Sequence, residues 1–350
     1  MDTAVNVARG AAPATPGAVG RRTGPSLRRR METMLCAPAV RLVVRRMLLA
    51  VVLLFVVTAL TFVLVSLTPG DAARQILGLN ASPSDYVRFR HQLGLDRPIY
   101  EQYWNWFRHA VTGDLGTSLY GPDVTTSIAS RLPVTLWLVF GALLVMLVAG
   151  VSIGVFSAVR GGLLGRAVDA FALAGFAIPS FWLGVMLIMF FAVQLRWFPA
   201  TGYVQLEQSP RDWLLSLALP VTALSMGGVA AVAKQTREAM LDALGSECIR
   251  MAWANGISPS SIFFRHALKT ASIRVVTVLG VQVIGLLGDA VVIESVFALP
   301  GVGSLAVTSS IRHDLPMVQG VVVYYTIIVV LINLIIDLAY TWLNPKVRVR

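Results

Sequence analysis

The chain has 350 residues, of which 56% are hydrophobic and only 13% are charged, and its mean hydropathy is +0.72. A soluble domain carries about 25% charged residues, so this composition excludes an ordinary soluble protein and predicts one that lies in lipid. The net charge of +11 comes without an aromatic and basic binding surface, so we expect basic loops beside anionic lipid and no nucleic-acid partner.

Long apolar windows predict an all-α membrane protein with about six transmembrane helices. Crossing the hydrocarbon core takes about 20 apolar residues, and five charge-free windows reach that length. A further window runs from Val275 to about Phe297 and is interrupted by Asp289 and Glu294. In chain order, the predicted spans are 47–70, 132–159, 170–195, 213–233, 275–297 and 315–336.

The placement of Lys and Arg predicts that both termini are cytoplasmic. With six spans, the side that holds the termini carries 20 of the 29 basic residues, whereas the nine on the other side are balanced by nine acidic residues. Residues 1–40 are rich in Ala, Pro, Gly and Arg and predict a disordered cytoplasmic leader. We divide the rest into 42–132, the first span with a large outer segment, and a core of 133–350.

The outer segment of about 71–131 contains an aromatic cluster at helical spacing. The sequence Gly94-Leu95-Asp96-Arg97-Pro98 predicts a helix end and a turn before it. We expect the rings to lie at the lipid–water interface, and an aromatic platform for a ligand is the alternative. The cluster consists of Tyr100, Tyr103, Trp104, Trp106 and Phe107.

The GxSxG-like sequence Gly150-Val151-Ser152-Ile153-Gly154 lies in an apolar helix, where its two glycines predict a helix-packing face and not a nucleophile elbow. No lysine follows a glycine anywhere in the chain, which excludes a P-loop. The scattered histidines give no metal-binding motif, so we expect no metal, no cofactor and no catalytic residue in this chain.

A short polar helix is predicted at about 246–257, between the fourth and fifth spans. Ser246 is placed to cap its first turn, and Gly256 supplies a left-handed stop. Ser258-Pro259 then restarts a helix with proline at its first position. This pattern predicts a docking element on the cytoplasmic face, because an isolated helix of about ten residues is marginal in water without a partner.

Acidic residues in or near the fifth span are the candidates for a pathway or gating role. Ionisable groups within spans are costly and mark function. Asp289 is the candidate for facing a pathway, as a cation site or proton relay, and Glu294 is expected near the outer face. Pro300 and Gly301 follow in an outer segment of 298–316, where a re-entrant turn or a short surface helix over a pore mouth is predicted.

Taken in order, these residues resemble the permease subunits of the dipeptide/oligopeptide/nickel class of bacterial ABC importers. The segment from Glu247 to Gly256, continuing to His266-Ala267-Leu268, is similar to the cytoplasmic coupling motif of that family. Cys248 and Asn255 depart from its usual residues. The resemblance covers about 42–350, and its other landmarks are Thr68-Pro69-Gly70-Asp71, Leu93-Gly94-Leu95-Asp96, Gly113-Asp114-Leu115-Gly116, Ile178-Pro179-Ser180-Phe181-Trp182, Pro300-Gly301-Val302-Gly303, Val318-Gln319-Gly320 and Asn344-Pro345.

The resemblance implies a type I ABC importer permease in a bacterial inner membrane. It implies four partners besides lipid: a homologous second permease, two P-loop ATPase subunits that hold ATP and Mg²⁺, and an outer substrate-binding protein. Peptides are the implied substrates, with a nickel chelate, haem or glutathione as alternatives within the family. An ion-coupled secondary transporter is the alternative outside it. The residues implied to couple to the ATPases are Glu247, Ile249, Arg250, Ala252, Trp253, Ala254 and Gly256.

Overall fold

The computed structural model describes residues 38–68, 70, 72–78 and 81–343, without the side chains of 38–42, 164, 173, 176 and 338–343. Within these residues all regular structure is helical, apart from one isolated β-bridge between Thr117 and Asp123. The predicted leader 1–40 and the closing Asn344-Pro345 lie almost wholly outside them. The chain divides into two units, Met1–Val44 and Arg45–Arg350, and the architecture below is that of the second. The predicted division near residue 132 stays a prediction.

The first part of the chain forms one long apolar helix followed by three shorter helices, which occupy the predicted outer segment. The short helix after Ser82 shows how the sequence sets its own start, because the Ser82 hydroxyl accepts a hydrogen bond from Asp85 N and Pro83 occupies the first turn. Gly94 has φ +66° at its far end, as the predicted turn requires. The helices are α1 (Pro38–Leu67), α2 (Ala72–Leu77), α3 (Pro83–Gln92) and α4 (Ile99–Val111).

The aromatic cluster lies on α4, and part of it packs on α1. The Tyr103 and Phe107 rings meet the Phe55 ring edge-on at centroid distances of 6.0 and 5.5 Å. The hydroxyl of Tyr103 lies 3.1 Å from that of Thr58 on α1. Tyr100 and Trp104 remain exposed, and their predicted place at the lipid–water interface stays a prediction.

The core of the second unit is built around one long helix. This helix, α9 (Pro210–Leu244), packs against α5, α6, α7, α8 and α12. The preceding elements are α5 (Val124–Val145), a π-helical turn Met146–Gly150, α6 (Val151–Arg160), α7 (Gly162–Ala177), and α8 (Ser180–Leu187) with a π-helical end Ile188–Gln194. The following elements are α10 (Glu247–Ala254), α11 (Pro259–Ser261), a π-helical segment Ile262–Ala267, α12 (Leu268–Val296), α13 (Val302–Ile311) and α14 (Leu315–Leu343).

Five of the predicted spans correspond to helices long and apolar enough to cross a membrane: Val43–Leu67, Val124–Arg160, Pro210–Leu244, Pro259–Val296 and Leu315–Asp337. The remaining window, 170–195, is divided between α7 and α8. The division falls at Ile178-Pro179, where proline disfavours the helical conformation of the residue before it, and Ile178 is extended with ψ 117°. The all-helical membrane fold is confirmed.

The predicted packing role of Gly150 and Gly154 is visible in the contacts with α9. A Cβ added to Gly150 would lie 2.8 Å from the Val232 Cβ, and one added to Gly154 would lie 2.6 Å from the Ala233 carbonyl oxygen. Only hydrogen fits in either place. Small residues therefore let this part of the α5–α6 helix approach α9 closely, as in other membrane helix pairs.

Candidate functional site

The predicted docking helix is α10, and it lies between the two long helices α9 and α12. Ile249 is buried and turns inward, where α10 contacts the π-helical segment Ile262–Ala267 and the end of α9. On the other side, Glu247 and Arg250 form an exposed ion pair with a 3.0 Å distance between Oε1 and Nη1. Ala252 is half-buried and Ala254 exposed. Helix α10 thus has one anchored face and one open face.

A glycine motif ends α10 as the sequence predicts. Gly256 has φ +72°, and its N–H donates to the Trp253 carbonyl at 3.0 Å. The next N–H, that of Ile257, donates to the Ala252 carbonyl at 3.2 Å. These two bonds make a Schellman motif, which satisfies carbonyls that the helix end would leave unpaired. The chain then turns sharply into Ser258-Pro259, which starts α11 as predicted.

The prediction that the Ser246 side chain caps α10 is wrong. Its backbone has the extended conformation of a capping residue, with φ −73° and ψ 149°, but no side-chain cap bond forms. Instead its hydroxyl donates to the Ala243 carbonyl at 2.6 Å. Because α9 ends only two residues earlier, its last turn lies within reach of this side chain, and the Ala243 carbonyl also accepts a 3.1 Å bond from Ser246 N.

Large apolar groups lie on the open side of α10. Met251 is 66% exposed and Trp253 47% exposed, and Cys248 is also exposed. The Trp253 ring has one aromatic neighbour among the described side chains, Phe263, which it meets edge-on at a centroid distance of 6.4 Å. The indole is therefore half-packed under the bundle and half-open. Exposed apolar side chains beside an ion pair are typical of a surface that another protein covers.

The second candidate region is a cleft of about 680 Å³, called the central cleft below, which is bounded by α7, α8, α9 and α12. Pro179 and Ser180, at the break between α7 and α8, form part of its wall, and Gly227 and Gly228 line it from α9. Asp289 enters it from α12. The structure therefore places this predicted pathway residue in a cleft within the bundle, and the role itself stays a prediction.

Gln282 lines the same cleft but was not among the residues predicted from the sequence. Its position, seven residues before Asp289, puts it on the same face of α12 two turns away. An amide at that spacing from an acid within an apolar helix was the available signal.

Glu294 is five residues beyond Asp289 but lies in a different environment. Its side chain is fully buried, and its Oε1 accepts a hydrogen bond of 2.6 Å from the Thr135 hydroxyl on α5. Its Oε2 accepts a 2.9 Å bond from Ser304 N in the first turn of α13. The Thr135 hydroxyl in turn accepts a bond of 2.9 Å from Val302 N. This carboxylate therefore caps α13 and ties it to α5 and α12, where a negative charge is favourable.

The glycines of Pro300-Gly301-Val302-Gly303 make room for that carboxylate. A Cβ on Gly301 would overlap the Glu294 carboxyl group, and one on Gly303 would lie 2.9 Å from Oε2. Pro300 is exposed at the start of the turn. A short helix, α13, lies within the segment 298–316 for which a re-entrant turn or a short surface helix was predicted. Its place over a pore mouth and the gating roles of Glu294, Pro300 and Gly301 stay predictions. Thr135 could not be predicted as part of this site, because a lone hydroxyl in an apolar span carries no signal of its own.

Comparison with known proteins identifies the family. Residues 150–349 match the family model "Binding-protein-dependent transport system inner membrane component", and residues 39–139 match the model of the N-terminal part of such membrane components. A Brucella abortus (strain 2308) protein whose name describes a permease of a peptide transport system is 39% identical, over 88% of this chain and 98% of its own length.

Two further matches have lower sequence identity to this chain. The glutathione transport system permease protein of Escherichia coli (strain K12) is 36% identical over 87% of this chain and 98% of its own length. Among solved structures, an inward-facing MetNI methionine ABC transporter is similar over 63% of this chain and 94% of that chain, with 21% identity and a TM-score of 0.48. The family expected from the sequence is thus confirmed, and this chain belongs to the binding-protein-dependent transport system inner membrane components.

Proposed function

We propose that this chain is one of two permease subunits through which an ATP-driven ABC importer moves peptides across a bacterial inner membrane. Relatives named as peptide and glutathione permeases, with 39% and 36% identity, support a small peptide as the substrate. Glutathione is itself a tripeptide, so it stays within that class. The excess of Lys and Arg on the side that holds the termini supports a cytoplasmic location for both.

The open face of α10 is the observation that carries this proposal. The buried Ile249 holds the helix under the bundle, while Glu247, Arg250, Met251 and Trp253 face outward. A helix of eight residues is too short to be stable by itself in water. We therefore assign the open face to a groove on a cytoplasmic P-loop ATPase. ATP and Mg²⁺ bind to the ATPases, and the permease is not an enzyme.

The mechanism follows from the connections of α10. ATP binding draws the two ATPases together. This motion moves α10, docked on one ATPase, and the equivalent helix of the second permease, docked on the other. Because the Schellman turn at Gly256 and the buried Ile249 join α10 to the bundle, that motion passes to α9 and α12. These two helices border the central cleft, so the pathway between the paired permeases opens alternately inward and outward. A substrate-binding protein delivers peptide on the outer side.

The exposed thiol of Cys248 provides a direct test of the docking surface. Cys36 is first replaced by serine, which leaves Cys248 as the chain's one thiol. We expect a maleimide to alkylate Cys248 rapidly in the isolated permease pair and several-fold more slowly once the ATPases are bound. Equal alkylation rates with and without bound ATPases would place the docking surface elsewhere.

Substitutions in α10 test the coupling itself. Proline cannot adopt the φ of +72° at Gly256, and Arg250→Glu places a like charge beside Glu247. Either change should uncouple transport from ATP hydrolysis while membrane insertion stays normal. Gly256→Asn and Arg250→Lys are the matched controls, because asparagine tolerates the left-handed conformation and lysine keeps the charge. Normal peptide-dependent growth and unchanged ATPase stimulation in the two disruptive variants would contradict the proposal.

A further inference from the structure

The central cleft has one charged wall residue among the lining side chains that the structure describes, and this residue is Asp289. The other polar side chains of that wall belong to Ser180 and Gln282. The rest of the lining is apolar or glycine. A single carboxylate is therefore the one charged group of this wall in the described structure, and its negative charge attracts cations and repels anions at close range.

Nothing in the described part of the chain neutralises Asp289. No hydrogen bond or ion pair is made to it there, and the arginines of α9 and α12 that form ion pairs have other partners. Arg237 pairs with Asp169 at 3.3 Å, and Arg274 with Asp242 at 2.8 Å. Asp289 lies seven residues before the end of α12, which corresponds to roughly 10 Å along the helix. A carboxylate at such a depth is costly and marks a pathway for substrate or ions.

The contrast with Glu294 separates a structural acid from one that can act on a ligand. The Glu294 carboxylate is buried and already accepts bonds from Thr135 and Ser304. Asp289 is exposed to the cleft, and its neighbours one turn away, Gly285 and Val292, have no polar side chain that could occupy it. A passing ligand can therefore reach the Asp289 carboxylate.

We propose that Asp289 attracts and orients positively charged groups of the transported substrate, so that the pathway favours cationic peptides over anionic ones. The proposal rests on the proposed function, in which this cleft forms one half of a peptide pathway. In this proposal the permease itself selects substrates by their charge, in addition to the selection made by the binding protein. The chemical class concerned is peptides with a cationic side chain, such as that of lysine.

The electrostatic part can be tested without transport. Gly285 is one turn from Asp289, and a Cβ added there meets nothing within 4 Å, so Gly285→Cys places a thiol in the cleft. In the complete transporter, with Cys36→Ser and Cys248→Ser, we compare the rates at which a cationic and an anionic thiosulfonate of similar size modify this thiol. Adding Asp289→Asn should lower the cation-to-anion rate ratio roughly fivefold to tenfold.

Glu207→Gln is the matched control, because it removes an exposed carboxylate outside the cleft. This control should leave the rate ratio unchanged. If the cation-to-anion rate ratio is the same with Asp289 and with Asn at that position, the proposal is overturned. A cation of the sister permease that already neutralises the Asp289 carboxylate would give this result. If Asp289→Asn reduces the amount of protein in the membrane, Asp289→Ser replaces it, and Asp289→Glu must restore the ratio.

The transport part uses three tripeptides that differ only in a central Lys, Gln or Glu, delivered by the same binding protein. Asp289→Asn should lower uptake of the Lys peptide relative to the Glu peptide by a similar factor, whereas Glu207→Gln should not. An unchanged preference in Asp289→Asn would refute the assignment. If the unsubstituted transporter takes up none of the three peptides in an ATP-dependent manner, the proposed function is refuted. The thiol experiment would still test the effect of the Asp289 charge in the cleft.

Discussion

Replacing Thr135 by valine removes one hydroxyl from the junction of α5, α12 and α13 without changing the shape of the side chain. That hydroxyl is buried, and it donates to Glu294 at 2.6 Å while it accepts from Val302 N at 2.9 Å. The Thr135→Val variant therefore loses both bonds at once. The Glu294 carboxylate keeps its bond from Ser304 N, but the Val302 N–H has no other acceptor in the described structure.

The expected cost follows from these two losses. A hydrogen bond to a charged group contributes about 1.5–3 kcal/mol, and a buried donor without an acceptor costs about 1–3 kcal/mol. Allowing for partial relaxation, we expect Thr135→Val to weaken the attachment of α13 by about 2–5 kcal/mol. Thr135→Ser is the control, because it keeps the hydroxyl and loses one methyl group, which is worth about 1 kcal/mol.

Amide hydrogen exchange in the purified transporter measures how firmly the first turn of α13 is held in each variant. Each 1.4 kcal/mol corresponds to about a tenfold change in an equilibrium constant. The amides of residues 302–304 should therefore exchange at least about 30-fold faster in Thr135→Val than in the unsubstituted chain. If these amides are equally protected in Thr135→Val and Thr135→Ser, the two hydrogen bonds of Thr135 do not hold α13 in place, and the prediction is refuted.

Two further predictions concern helix packing and pH. Gly154→Ala should lower the stability of the transporter by about 1–3 kcal/mol, because its methyl group would lie 2.6 Å from the Ala233 carbonyl oxygen. Gly285→Ala is the control: its methyl group meets nothing within 4 Å, so this helical substitution should keep or slightly raise the melting temperature. In the outer segment, the hydrogen bond from His91 to Asp96, 2.6 Å long, holds the pKa of the Asp96 carboxyl below its usual 3.8. This bond should therefore stabilise the turn above pH 3.8 and lose its effect as the pH falls through the lowered pKa. Amide exchange of residues 93–97 in the unsubstituted and His91→Gln chains checks the sign, and a difference that grows on acidification would contradict it.

Local patterns were sufficient for much of the fold and for the docking helix. Runs of about 20 apolar residues predicted five of the long helices, because a helix of that length crosses the hydrocarbon core and satisfies its own backbone polar groups. The position of Gly256 predicted the left-handed turn that ends α10, because that conformation is strained for other residues. The bond of the Ser246 side chain could not be predicted in the same way, since this residue lies between two helices and only the three-dimensional arrangement shows that its hydroxyl bonds back to α9.

The sequence by itself determined that α12 carries two acids within an apolar helix, but only the tertiary structure decided which groups each one meets. Five residues along a helix turn the side chain by about 140°, so Asp289 and Glu294 face different neighbours. Glu294 meets Thr135, which is 159 residues away in sequence, and the first turn of α13. Asp289 meets an open cleft. Helical periodicity is a local property and can be counted from the residues, whereas the identity of the facing groups depends on how distant helices pack.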